Sequence, residues 1–124
     1  MDTLANALTI VHTAYMRHKP YACVLFSKHT WDVLRVLYVE GYIKGCAATR
    51  THIFVTLKYT EKGPALRAIR RLSSPGKRTY ASKGACTPLL KGLGTILVST
   101  PKGVVCDRDA RKLRVGGELL AHVF

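Results

Sequence analysis

Carboxylates are scarce in this sequence: seven Asp and Glu face twenty Lys and Arg among 124 residues. So few acids leave little material for general acid–base chemistry, and no pair forms a recognisable catalytic constellation. A metal-dependent nuclease would suit a basic chain, but it needs clustered carboxylates to hold its ions. Only Asp107 and Asp109 come close together, on a short expected helix. Hydrophobic runs are short as well, none approaching the ~18 apolar residues of a membrane-spanning helix. The four cysteines, Cys23, Cys46, Cys86 and Cys106, include no CxxC and no Cys–His pair at zinc-site spacing. Cys23 and Cys46 lie in apolar runs and read as small buried hydrophobes. His12, His18, His29, His52 and His122 have no spacing that a metal or a catalytic triad would use. Ser99-Thr100 lacks a nucleophile elbow, and Gly92-Leu93-Gly94 is too short for a dinucleotide fingerprint. The expectation is a protein without catalysis, cofactor, metal or small-molecule substrate. No secretory signal is legible, and the first helix lacks the Arg and Ser enrichment of a transit peptide, so it is expected to belong to the fold.

What is abundant is positive charge. The net charge is +13 and the pI about 10.0. Self-repulsion on that scale is commonly tolerated for a polyanionic partner. The excess is uneven: residues 1–60 carry seven basic and three acidic side chains (net +4), residues 61–124 thirteen and four (net +9). Most phosphate contacts are therefore expected in the second half, with Arg70, Arg71, Lys77 and Arg78 as candidates, because each cation near a nucleic-acid backbone displaces condensed counterions. Tyr80 could stack on a base or serve as half-buried packing. The charges are scattered through turns and strands, unlike the single basic face of a membrane-surface helix.

The apolar pattern gives an α+β fold. Leu4, Ala7, Leu8, Val11, Ala14 and Tyr15 recur at helical steps from Asp2 to about His18, with Asp2 or Thr3 as cap, and Lys19-Pro20 stops the helix. Tyr21–Phe26 reads as a strand. Ser27 caps a helix through Glu40 that Gly41 ends, with Trp31, Leu34, Leu37 and Tyr38 as its expected core face. A strand over Tyr42–Ala48 and a turn at Thr49-Arg50 precede clean alternation from Ile53 to Tyr59. The result is an N-terminal α-β-α-β-β unit, residues 1–62, packed against a β-rich unit with short helices, residues 63–124. Glu61-Lys62-Gly63-Pro64 marks the boundary. Beyond it, Ala65–Leu72 fits helix or strand. Pro75-Gly76 is a turn, Lys77–Ala81 a strand and Pro88–Lys91 a short helix. Thr95–Ser99 and Gly103–Cys106 are strands, Asp107 caps a helix to Leu113, and Gly116-Gly117 introduces a last strand, Glu118–Phe124.

Several blocks of the second half resemble one family. They are Ser73 through Tyr80, Gly92-Leu93-Gly94, Ser99-Thr100-Pro101-Lys102-Gly103-Val104-Val105, Asp107-Arg108-Asp109-Ala110-Arg111 and Gly116-Gly117-Glu118. Together, correctly spaced, they resemble the bacterial-type small-subunit ribosomal protein S-eight. The first half agrees through Asp2, Ala5 and Leu8, through Ser27-Lys28, through Glu40-Gly41-Tyr42-Ile43 and through Leu57-Lys58-Tyr59. The resemblance implies a two-domain assembly protein that stabilises a helical junction in the central domain of small-subunit ribosomal RNA, beside neighbouring ribosomal proteins. It places the Ser-Thr-x-x-Gly turn and the Glu of Gly-Gly-Glu against an irregular pocket in an RNA stem. Carried over, the candidates are Ser99, Thr100, Lys102, Gly103, Gly117 and Glu118, with Lys28 from the first half.

A-form RNA hides its base edges in a deep, narrow groove, so proteins read shape, sugars and distorted nucleotides instead. Hydroxyls on a tight turn suit that task. Two departures stand out. Pro101 occupies a position where the family's turn usually has a serine, which removes a hydroxyl and a backbone N–H. Ile10, Val11, His12 and Thr13 replace a usually basic end of the first helix. Such drift points to an organellar, mitochondrial ribosome, with plastid or bacterial cytoplasm as alternatives. The competing functions are an extraribosomal regulatory RNA-binding protein and a basic metal-dependent nuclease.

Overall fold

The computed structural model describes residues 3–72, 80–81 and 94–124. Lys77, Arg78, Cys86, the turn at Pro75-Gly76 and the helix expected over Pro88–Lys91 lie outside the described residues. The protein is α+β, with two compact units, Met1–Ala68 and Ile69–Phe124.

In the first unit, α1 (Thr3–Met16) buries Leu4, Ala7, Leu8, Val11, Ala14 and Tyr15, the face its periodicity predicts. β1 (Tyr21–Leu25) turns Ala22 and Val24 inward and leaves Tyr21, Cys23 and Leu25 exposed. α2 (Lys28–Val39) starts at Ser27, whose hydroxyl accepts from the Thr30 backbone N–H at 3.0 Å and so satisfies one of the helix's orphan donors. It ends where Gly41 takes φ +85°, the left-handed region that favours glycine. β2 (Gly45–Ala48) and β1 flank β3 (His52–Thr56) in an antiparallel sheet of order β1-β3-β2. A two-stranded hairpin of β4 (Tyr59–Thr60) and β5 (Gly63–Pro64) follows. Glu61 and Lys62 form the turn of this hairpin.

Tyr15 ties the unit together. Fully buried, its hydroxyl donates to the Tyr42 carbonyl at 2.6 Å and accepts from the Lys58 backbone N–H at 3.1 Å. Burial pushes its pKa up; the Lys58 hydrogen bond opposes this, and the nearby Tyr59 adds to it.

Three expectations for this unit need correction. The buried face of α2 is Thr30, Val33, Leu34 and Leu37, while Trp31 is half-buried and Tyr38 is 54% exposed. Thr30 can be buried because its hydroxyl accepts from Ser27 Oγ at 2.7 Å. β2 begins at Gly45 rather than Tyr42, because Tyr42 and Ile43 belong to the exit from α2. Cys23 is exposed and Cys46 half-buried, since strand alternation decides which side each faces.

In the second unit the undecided stretch resolves as β6 (Ile69–Arg71). It is followed by β7 (Tyr80–Ala81), β8 (Thr95–Thr100), β9 (Gly103–Cys106), α3 (Asp107–Leu113) and β10 (Gly117–Val123). The sheet runs β6-β10-β8-β9, and β7 also pairs with β10. Ile96 and Val98 of β8 meet Ala110 of α3 in a core that Leu72, Val105, Val115 and Leu119 extend. Ile96 and Val98, the fully buried larger side chains of this core, contribute about 1.5–3 kcal/mol each. Asp107 does not cap α3 as expected: the cap position is Cys106. The Asp107 carboxylate, 2% exposed, instead accepts from the Ile96 backbone N–H at 3.3 Å and from Arg111 Nη1 at 3.2 Å. Among the described residues no helix is long and apolar enough to cross a membrane.

Candidate nucleic-acid interface

β10 is the strand on which the site is assembled. On one edge β8 sets Ser99 opposite Glu118; on the other, β7 sets Tyr80 opposite the same Glu118. Three residues from distant parts of the chain thus lie level on adjacent strands. With neighbouring strands about 4.8 Å apart, their backbones form a row about 10 Å long. Ile96, Val98 and Leu119 belong to the core beneath α3. Alternation therefore turns Ser99 and Glu118 to the opposite face, where both are half-buried.

The turn next to this row holds itself together. Thr100 and Gly103 are the last pair of the β8–β9 ladder, with Pro101 and Lys102 exposed between them. The Thr100 hydroxyl accepts from the Lys102 backbone N–H at 3.1 Å and donates to the Gly103 carbonyl at 2.7 Å. Its outward capacity is one remaining lone pair. Gly103 adopts φ +113°, and a Cβ there would meet nothing within 4 Å, so backbone angle and not crowding requires glycine. At Gly117 the reason is crowding: a Cβ would lie 2.0 Å from the Ser99 carbonyl oxygen. The glycine lets β10 and β8 close up beside the turn.

The basic candidates divide. Arg71 and Arg70 stand opposite Ala121 and His122 on the edge of β10 that β7 also uses. They lie about 10 Å along the strand from Glu118. Arg70 and Lys102 are exposed, Arg71 half-buried. Lys28 belongs to the first unit, where its ammonium sits 2.7 Å from Asp32 Oδ1. The described site offers hydroxyl, carboxylate and cation groups for hydrogen bonding and charge pairing.

The family model for ribosomal protein S8 matches residues 2–124. The chain belongs to the ribosomal protein S8 family. It is 44% identical over 128 residues to the small ribosomal subunit protein uS8 of Methylocella silvestris, covering 99% of this chain and 97% of that one. The uS8 proteins of Nitrobacter winogradskyi and Xanthobacter autotrophicus are each 41% identical over the same shares of the two chains. These relatives are bacterial. S8 is a ribosomal protein family and not an enzyme family, in keeping with the poverty of carboxylates.

Two features of this S8 chain escaped sequence reasoning. The structural use of Asp107 had a signal in Arg111, four residues on and so on the same helix face. The internal hydrogen bonds of Thr100 had none beyond the turn itself, since hydroxyl geometry depends on strand register.

Proposed function

We propose that this protein is a structural constituent of the small ribosomal subunit that binds ribosomal RNA chiefly through its second unit. The contact surface is the row formed by Ser99 and Glu118 with the adjoining Thr100–Gly103 turn. The observation that carries this reading is the register of β10, which sets Ser99 and Tyr80 level with Glu118 from opposite edges. A neutral hydroxyl and an acceptor carboxylate on a face of a strongly basic chain suit recognition of a distorted nucleotide. Lys102, Arg70 and Arg71 supply phosphate contacts beside it, and Lys77, Arg78 and, in the first unit, Lys28 are further proposed phosphate contacts. Gly103 and Gly117 let the backbone close in. Thr100 acts mainly by fixing the turn.

The RNA target in this reading is a helical junction of the small-subunit central domain, stabilised during assembly with neighbouring ribosomal proteins. The compartment it favours is the mitochondrion, on two departures, Pro101 in the turn and the non-basic Ile10–Thr13 stretch of α1. The test is gradient sedimentation of tagged protein from its native source, with sequencing of copurifying RNA. The expected result is migration with small subunits and recovery of mitochondrial small-subunit ribosomal RNA. Recovery of bacterial or plastid ribosomal RNA would move the compartment and leave the role intact. Protein at the top of the gradient without RNA would overturn the role.

A further inference from the structure

The outward face of α2 carries a second surface of suitable chemistry. Trp31, Arg35 and Tyr38 follow one another at steps of four and three, within about 60° of helical arc. They do not belong to the buried stripe. With Lys44, Gly45 and Cys46, from the start of β2 and the residue before it, they line an open cleft in the first unit. None of the six lining residues is acidic. Tyr38 is 54% exposed and Arg35 and Lys44 are exposed, while Trp31 and Cys46 are half-buried. Among the described residues neither Arg35 nor Lys44 makes an ion pair. Lys44 is held by its backbone N–H, which donates to the Thr56 carbonyl at 2.9 Å and extends the β2–β3 ladder. Its side chain is left to the cleft.

We propose that this cleft takes an unpaired nucleotide of RNA, with the aromatic rings stacking the base and Arg35 and Lys44 flanking its phosphates. Charge complementarity selects the occupant: two cations without counter-charge call for an anion, and two aromatic rings beside them call for one with a flat apolar face. An acidic protein segment would satisfy the cations and leave the rings without a partner of matching shape. The proposal rests on RNA being the protein's partner. It shares no residue with the Ser99–Glu118 surface, and it gives the first unit a base-stacking contact besides the phosphate contact proposed at Lys28.

Trp31 is the only tryptophan of the chain, so its fluorescence reports on this cleft and no other. The full-length protein is titrated with octa-adenylate, and with heparin as a polyanion that has no bases. Quenching by octa-adenylate and not by heparin is the expected result. Tyr38→Ala, at an exposed position, should weaken the octa-adenylate response roughly tenfold. Arg35→Gln and Lys44→Gln should each lower the salt slope by about one. No quenching, or equal quenching by heparin, overturns the cleft assignment. Quenching by RNA-free small-subunit proteins alone assigns the cleft to a protein and overturns it too. Failure here in a protein that still sediments with small subunits leaves the ribosomal role standing; loss of sedimentation removes that role whatever Trp31 does.

Discussion

Replacing Gly117 by alanine tests the close approach beneath the proposed RNA surface. The added Cβ would lie 2.0 Å from the Ser99 carbonyl oxygen, 2.9 Å from its carbonyl carbon and 3.2 Å from Thr100 Cα. Real Cβ atoms essentially never come within 3.0 Å, so the strands must part by at least 1.0 Å (3.0 minus 2.0). All three atoms are backbone, and none can rotate away as a flexible side chain would. Overpacking of a well-packed site costs about 1–3 kcal/mol, and a backbone clash belongs at the upper end, about 3 kcal/mol. For a chain of this size about 4 °C is lost per kcal/mol, so Tm should fall by about 12 °C. The assay is thermal melting followed by circular dichroism, paired with RNA binding measured well below the transition. Binding should weaken even where the variant is folded, since a recognition site tolerates displacement of only about 0.5 Å. A Tm drop of less than about 4 °C would refute the described register between β8 and β10. A full drop with unaltered RNA affinity would keep the register and dismiss the row as a contact surface.

Tyr15→Phe should cost about 1–3 kcal/mol by leaving the Tyr42 carbonyl and Lys58 N–H without their shared partner, readable as a shift in urea midpoint. The same residue sets an alkaline limit: unfolded it ionises near 10.0, folded above that, so its contribution is whole below pH 10.0 and lost as pH rises through the folded value. Stability measured from pH 9 to 12 should fall less steeply in Tyr15→Phe than in the parent. Asp107→Ala should destabilise by about 1–3 kcal/mol by orphaning the Ile96 N–H, with Asp107→Asn milder because an acceptor remains. Lys77→Ala and Arg78→Ala should each lower the salt slope of RNA binding by about one. Ser99→Ala should weaken affinity at nearly constant slope, because a neutral hydroxyl releases no counterion. A slope insensitive to both cations would exclude them as phosphate contacts.

Periodicity read α1 residue by residue, because a helix facing a core on one side writes that side into the sequence at fixed steps. It also placed β8, β9 and α3 within a residue or so, but ran the third strand on to Tyr59 where β3 stops at Thr56. It failed at α2, where Trp31 and Tyr38 are apolar enough to read as core; whether an aromatic residue is buried depends on what lies opposite it, and a single-sequence pattern carries no such information. The cysteines failed for the same reason, at the finer level of strand parity. The candidate site was legible in its parts: the turn, the Gly-Gly-Glu start and the basic excess all stood in the sequence. Their assembly was not. The alignment of Tyr80, Glu118 and Ser99 is a product of strand order, and strand order follows from long-range pairing that local composition does not encode.

The two larger sheets each place the strand that is synthesised last of their own in the middle. β3 comes after β1 and β2 yet separates them, and β10 comes after β6, β7, β8 and β9 yet joins them. Until that strand emerges from the ribosome that makes it, each sheet is a set of unjoined pieces. Neither of these sheets can close stepwise from its N-terminal side, and each should snap shut as its own central strand arrives. Truncation within β10 would then abolish the second sheet as a whole rather than trim an edge. The proposed RNA-contact row, which needs Glu118 in place, forms only once β10 has paired with β7 and β8.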